Sequence, residues 1–281
     1  MPIFSRVLIV GTGFMGNALA NALFHNRVVG EICAVEPNEA FRRTAEETRC
    51  YTEIRESIEK IEPSPELAVV CSPVETVAPL ACQLLEMFPA ALVTDIASVK
   101  QMVVDEVQQH AGENVSRFIG GHPITGSDRS GPIQPPKSIF TDRSFVITPQ
   151  DYHDEAAIRS IEGLWDALGS HVFRLTPLDH DRLLGMTSHM PHAVASALSA
   201  ALDPEELEFC GTGIRDTIRI AKSNPLLWKQ IFVHNRESVL QAIGRFQQVF
   251  DDLRNSLESG SIEELVSILE KGQKNRDALG N

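Results

Sequence analysis

The chain has 281 residues, 43% of them hydrophobic and 22% charged; this is room for one large or two ordinary domains at about 150 residues each, and it excludes disorder and fibrous repeats. Its 25 Lys and Arg stand against 38 Asp and Glu, a formal net charge of −13, which argues against nucleic acid or an anionic membrane as the main partner. Any anionic ligand must therefore meet a local basic pocket.

The cysteines Cys33, Cys50, Cys71, Cys82 and Cys210 are scattered and lack metal-ligand spacing, so neither a disulfide framework nor a zinc site is expected. No apolar run approaches the length of a membrane span or a signal-peptide core. The expected setting is the reducing cytoplasm.

Arg6 to Val10 is a β-branched apolar run, followed by Gly11-Thr12-Gly13-Phe14-Met15-Gly16 and a helix-favouring stretch from Asn17 to His25. The pattern predicts strand, glycine turn and helix. A second strand is predicted over Glu31–Val35, ending in Glu36, with Asn38 as the N-cap of a helix to about Thr48. Further strands are predicted at Leu67–Cys71, Leu92–Ile96 and Arg117–Gly120, with helices after Pro73 and from Val99 to His110. Such alternation implies a parallel, doubly wound sheet. His122 to Pro136 is a loop rich in Gly, Ser and Pro. Strands at Ser144–Thr148 and His171–Leu175, flanking a helix at Asp154–Leu168, should extend the sheet. Beyond Leu178 apolar residues recur at helical spacing through Leu178–Leu202, Leu226–Leu257 and Ile262–Leu269. The expected fold is therefore an α/β Rossmann-type domain over residues 1–175, followed by an all-α domain over 176–281. The apolar stripes of the long helices exceed what so small a domain buries alone, which predicts a homodimer.

The glycine turn follows a strand, opens a helix and has Glu36 twenty residues beyond Gly16. Gly11 permits the tight turn, Gly13 lets backbone approach a pyrophosphate, and Gly16 lets helix and strand pack closely. Glu36 would accept from adenosine ribose hydroxyls and repel a 2′-phosphate, favouring NAD over NADP; Arg42 and Arg43 lie nearby, as solvated helix residues. Phe14, Met15 and Ser72 complete the expected cofactor-binding set.

His122 falls at the carboxyl edge of the sheet, where ligands bind in this architecture; a catalytic role and a packing role are both open on position alone. Ser98 falls on the same edge, as a site residue or as the N-cap of the helix that Val99 begins. His189 and His192 lie on one helix face, with Pro191 expected to kink the helix between them, and serve either a ligand or interhelical hydrogen bonds. Arg215 and Arg219, four apart, are read as two guanidinium forks on one helix face, a carboxylate receptor in an acidic protein, or else as partners of Asp216 or another carboxylate. No metal site is expected.

Taken together, Gly120-Gly121-His122-Pro123 with Gly126 and Ser130-Gly131, Asp95-x-x-Ser98-Val99-Lys100, Ser188-His189-Met190-Pro191-His192, and Arg215-Asp216-Thr217-x-Arg219-Ile220-Ala221 followed by Asn224-Pro225-x-x-Trp228 resemble the prephenate/arogenate dehydrogenase family of tyrosine biosynthesis. The resemblance covers nearly the whole chain. It implies a Rossmann-type domain, a helical dimerisation domain, and NAD(P)-dependent oxidative decarboxylation of prephenate to 4-hydroxyphenylpyruvate or of arogenate to tyrosine, with Glu36 favouring NAD. By position, His122 would take the ring-hydroxyl proton as hydride leaves C4, and Ser98 would hydrogen-bond near that hydroxyl. Arg219 would hold the ring carboxylate, and Arg215 would be a second basic residue near the site. His189, His192 and Ser127 would line the substrate pocket. Thr125 and Ser127-Asp128-Arg129 depart mildly from the family pattern, which bears on loop contacts and substrate preference. A neutral imidazole with an ordinary pKa near 6.5 suits the proton step. Ending soon after the helical region, the chain is not expected to carry an appended regulatory or chorismate mutase domain. Two other readings are a β-hydroxyacid dehydrogenase, whose catalytic lysine and asparagine on a central helix are not found, and a dinucleotide-sensing regulator without turnover, which loss of His122 or Arg219 would have favoured.

Overall fold

The computed structural model describes residues 2–125, 131 and 139–280. Its first half is an eight-stranded sheet in the order β3-β2-β1-β4-β5-β6-β7-β8. The strands are β1 (Phe4–Val10), β2 (Val29–Val35), β3 (Glu53–Arg55), β4 (Leu67–Val70), β5 (Leu92–Asp95), β6 (Phe118–Ile124), β7 (Ser144–Thr148) and β8 (His171–Arg174). The first six are parallel, β7 runs antiparallel to β6, and β8 runs parallel to β7. The short β3 gives no signal in the sequence: three residues with Glu at one end and Arg at the other carry no apolar period.

Both faces of this sheet are covered, which is why its strands read as continuous apolar runs. Leu8, Val10, Ala68, Val70 and Val93 face one side, against α3 (Val74–Met87) and α4 (Gln101–His110). Val7, Ile9, Leu67 and Val69 face the other, against α1 (Phe14–Asn26) and α5 (Glu155–Ala167). Trp165, stacked on Phe145 at 4.0 Å, is the largest fully buried side chain there. Asn38 caps α2 (Glu39–Thr48), accepting from Ala40 and Phe41 N–H groups, as its position predicts.

The second half is helical: α6 (Pro177–Leu184), α7 (Met190–Ala200), α8 (Thr212–Thr217), α9 (Pro225–His234), α10 (Arg236–Ser259) and α11 (Ile262–Ala278). Two departures from the expected helices place the site. Leu178–Leu202 is not one regular helix, because a π-helical turn at Gly185–His189 separates α6 from α7. Pro191 follows directly on this turn, as the second residue of α7, so the proline sits where the hydrogen-bond ladder has already changed its step. Leu226–Leu257 is not one helix either, because the backbone leaves helical geometry at Asn235, whose side chain is turned inward. Ile231 of α9 joins the apolar layer beneath α3 and α4, which docks the helical half onto the sheet half.

Candidate active site

The order of the sheet reverses between β1 and β4, the position at which open α/β sheets bind ligands. Gly11 follows β1 with φ +100°, and a Cβ there would lie 2.9 Å from the Cys71 carbonyl oxygen. A Cβ on Gly16 would lie 2.0 Å from the Gly11 carbonyl oxygen, so helix and turn meet backbone to backbone. Among the described residues a Cβ on Gly13 would meet nothing nearer than the Phe41 ring at 3.8 Å, and α1 begins with no side-chain cap. Its first N–H groups are thus free of side-chain acceptors. Asn17 braces the turn by donating to the Thr12 carbonyl, while Tyr51 donates to Asn17.

Glu36, 7% exposed, closes the end of β2. Its carboxylate accepts from the Thr12 and Asn38 N–H groups, each at 2.9 Å. Arg42 is not a solvated bystander: its guanidinium folds back on the Glu36 and Pro37 carbonyls, whereas Arg43 pairs with Glu39 on the surface. Phe14 is buried, Met15 packs on the inner layer, and Ser72 accepts from Thr76 at the start of α3. An open glycine turn with an uncapped helix and a fixed carboxylate at the next strand end fits the pyrophosphate and ribose of a dinucleotide.

His122 lies within β6 rather than after it. The strand continues because β7 pairs antiparallel with it, Gly120 opposite Thr148 and His122 opposite Val146. β5 pairs only as far as Ile119, and the Asp95 carboxylate takes over the Gly121 N–H at 3.1 Å. A side chain at Gly121 would strike the Phe145 ring at 2.6 Å, so two glycines carry the strand through this crowded passage to the histidine.

His122 is 8% exposed. Its Nδ1 meets His180 Nε2 at 2.8 Å, and His180 Nδ1 meets Asp181 Oδ1 at 2.8 Å. Asp181 also accepts the backbone N–H groups of Lys100 and Gln101 at 2.8 and 3.0 Å. It therefore caps α4 from 80 residues away, and Ser98 is not that cap; Ser98 is half-buried on the loop between β5 and α4. Lys100, fully buried, pairs with Asp95. Asn235 donates to the Asp181 carbonyl at 2.8 Å and meets His189 Nδ1 at 3.0 Å. His192 stacks on Trp228 with centroids 3.5 Å apart. The fold thus gathers His122, His189 and His192 together with His180, Asp181, Asn235 and Trp228, which sequence reasoning had not assigned to the site. Only the dipeptide His180-Asp181 could have signalled the first two; Asn235 carries no local signal.

Burial pushes His122 well below the usual histidine range, and the neighbouring His180 and Lys100 push the same way. An ordinary value near 6.5 is thereby corrected: this imidazole stays neutral into acid. Burial also lowers His180, against the pull of Asp181, and lowers His192. It pushes His189 down to about 4. In the unfolded chain these groups bind protons below about 6.5, whereas in the fold they do not, so unfolding takes up protons and stability falls as pH drops through that window. The melting temperature is expected to decline between pH about 6.5 and about 5, ahead of most carboxylate titration. A flat profile over that interval would contradict the burial argument.

Arg215 and Arg219 do not share a helix face. α8 ends at Thr217, and Arg219 opens a separate 3-10 turn, Arg219–Lys222, that packs on α7. Gly213 within α8 and the β-branched Ile214, Thr217, Ile218 and Ile220 around Arg215 and Arg219 are poor helix formers and do not sustain a longer helix. Arg215 donates to the Cys210 carbonyl at 3.0 Å. Arg219 is exposed and has no ion pair among the described residues. Ser127 lies outside the described residues. Among the described residues no group of three or more His, Cys, Asp or Glu is placed to hold a metal, and no helix is long and apolar enough to cross a membrane.

A glycine turn at the switch point of a doubly wound sheet, with a helical domain closing over a strand-borne histidine, defines a Rossmann-type dinucleotide-dependent dehydrogenase. The chain belongs to the prephenate dehydrogenase family. Residues 17–174 match the family's nucleotide-binding domain and residues 176–271 its dimerization domain. The structure of prephenate dehydrogenase from Aquifex aeolicus in complex with hydroxyphenyl propionate and NAD+ superposes with a TM-score of 0.91 at 33% identity, over 98% of each chain. The Synechocystis arogenate dehydrogenase superposes at 0.83 with 26% identity, over 98% of this chain and 99% of that one. The prephenate dehydrogenase of Bacillus subtilis is 27% identical over 281 residues, 97% of this chain and 76% of that protein.

Proposed function

We propose that this chain catalyses the NAD-dependent oxidative decarboxylation of prephenate to 4-hydroxyphenylpyruvate, with arogenate as a second ring acid it accepts. The observation that carries the reading is His122: a buried, neutral imidazole at the carboxyl edge of the sheet, with Nδ1 engaged by His180 and Nε2 without a hydrogen-bond partner among the described residues. The family assignment sets aside the β-hydroxyacid dehydrogenase and the non-catalytic regulator.

In this reading Gly11, Gly13, Phe14, Met15, Gly16, Glu36 and Ser72 hold the dinucleotide, which when bound supplies the hydride acceptor. His122 takes the ring-hydroxyl proton at Nε2 as the C4–H electron pair leaves. It hands that proton back to the same oxygen when the bond to the ring carboxylate breaks, carbon dioxide departs and the ring becomes aromatic. Ser98 orients the hydroxyl, His189 and His192 line the ring, and Arg219, Arg215 and Ser127 meet the substrate's acidic end. Aromatisation drives the decarboxylation, so the protein need only align, hold and move one proton.

We divide the chain at 175/176, between the end of β8 and Thr176, the N-cap of α6. The helical domain forms a homodimer, supported by its exposed apolar side chains, among them Leu226, Phe250 and Ile262 at 72%, 58% and 68% exposure. Five free thiols support a cytoplasmic setting.

The assay is NADH formation by purified protein with NAD and prephenate, arogenate or a panel of hydroxyacids; turnover confined to hydroxyacids would overturn the reading. Glu36 also sets the cofactor. Its carboxylate repels a 2′-phosphate, so kcat/KM with NAD should exceed that with NADP, and Glu36→Ala should narrow the ratio by roughly tenfold or more. A wild-type enzyme equally efficient with NADP would remove Glu36 from that role.

A further inference from the structure

The geometry points to a set of residues behind the site that fixes which ring nitrogens carry hydrogen, an inference that rests on His122 being the base of the proposed reaction. His180 and Asp181 are positioning residues that hold His122 as the Nδ1–H tautomer with Nε2 bare, and Asn235 holds His189 in the opposite tautomer.

The hydrogens follow from which partners can only accept. Asp181 Oδ1 accepts from the Lys100 N–H at 2.8 Å and faces His180 Nδ1 at 2.8 Å, so the hydrogen of that contact lies on His180 Nδ1. A neutral imidazole has one ring hydrogen, which leaves His180 Nε2 bare. It can only accept, and the atom facing it at 2.8 Å is His122 Nδ1. That nitrogen is then the donor, and His122 Nε2 is the free lone pair. With all three partners of the Asp181 carboxylate at 3.0 Å or less, two of them backbone N–H groups at the start of α4, the anchor cannot swing away.

The second imidazole is set in the reverse sense. The Asp181 backbone carbonyl can only accept, so the Asn235 atom 2.8 Å from it is the amide nitrogen. The same nitrogen meets His189 Nδ1 at 3.0 Å, where two N–H groups cannot face each other. His189 Nδ1 is therefore bare, and its hydrogen sits on Nε2. Burial keeps both rings uncharged. One residue, Asp181, thus makes one imidazole an acceptor through its side chain and the other a donor through its backbone. The reversed tautomer of His122 would offer the substrate hydroxyl an N–H and could not take its proton.

The test begins with wild-type protein carrying isotope-labelled histidine, whose long-range proton–nitrogen correlations report the tautomer of each ring. His122 is expected with hydrogen on Nδ1 and His189 with hydrogen on Nε2, the signals assigned from His122→Asn and His189→Asn spectra. Asp181→Asn and His180→Leu should then lower kcat roughly 10²- to 10³-fold while KM for the ring acid and Kd for NAD stay within about twofold. His180→Gln, whose amide offers an acceptor and a donor side by side, should regain at least about tenfold of that loss. A reversed tautomer on either ring, or a folded Asp181→Asn or His180→Leu enzyme with the wild-type kcat, would overturn the inference. Should the variants not fold, the wild-type spectrum still decides. If instead His122→Asn retains its rate while the tautomers stand as expected, it is the base assignment that fails.

Discussion

His122→Asn is expected to lower kcat by roughly 10²- to 10⁴-fold, the scale of losing a general base, while Kd for NAD stays near the wild-type value. The asparagine keeps a polar group in the strand and removes the ring nitrogen that takes the proton. β6 and β7 pair through backbone groups on either side of this position, so the substitution leaves the ladder intact. The pH profile separates the chemistry from a packing effect. Because burial, with His180 and Lys100 beside it, depresses the imidazole well below its ordinary value of 6.5, the acid limb of the wild-type profile should fall below pH 6.5, and the slow residual rate of the variant should lack that limb. A variant retaining most of its rate, or a wild-type limb centred at or above 6.5, would remove His122 from the mechanism.

Arg219→Gln is expected to raise KM for the ring acid about 10- to 100-fold, the range of a hydrogen bond to a charged group, with Kd for NAD unchanged. Within one chain this arginine has no architectural partner among the described residues: it is exposed, stands in a short 3-10 turn, and has no ion pair there to lose. The melting temperature should accordingly move little. Its exposure also sets the magnitude below that of truncating a desolvated pair, since solvent screens the charge until substrate arrives. Arg219→Lys should recover only part of the loss, because an ammonium cannot reproduce the bidentate fork. A large fall in melting temperature with unchanged KM would relocate the carboxylate contact.

The Rossmann half was legible because its signals are local. A β-branched run, three spaced glycines and an acidic residue at the next strand end each state a backbone requirement that can be read without knowing what packs on it, and Asn38 states its own cap. The site was legible only where one residue type is rare in context, as with His122 between glycines and proline. Asp181 could not be read as the cap of α4, because capping is normally a matter of two or three residues and here the acceptor returns from 80 positions on. Asn235 was hidden in apolar periodicity that runs through it without a phase change, so the helix break is tertiary: the side chain is drawn inward by a carbonyl and an imidazole. Arg215 and Arg219 were misplaced for the converse reason, their spacing of four implying a helix that glycine-rich, β-branched sequence does not sustain.

The π turn at Gly185–His189 makes the helical half a phase-coded element. An extra residue in a helical turn rotates everything beyond it by roughly 100° about the axis. His189, at the end of that turn, and His192, the third residue of α7, are both buried, and the direction in which they face is set by this single added residue as much as by their own identity. Gly185 makes the same place a point of tight clearance, since a Cβ on it would lie 3.0 Å from the Ser238 Cβ of α10. Descendants of this chain can therefore exchange side chains along α7 one at a time. Loss or gain of a residue between Leu184 and Met190 would instead re-aim the whole helix at once, so chain length in this stretch is part of the recognition code.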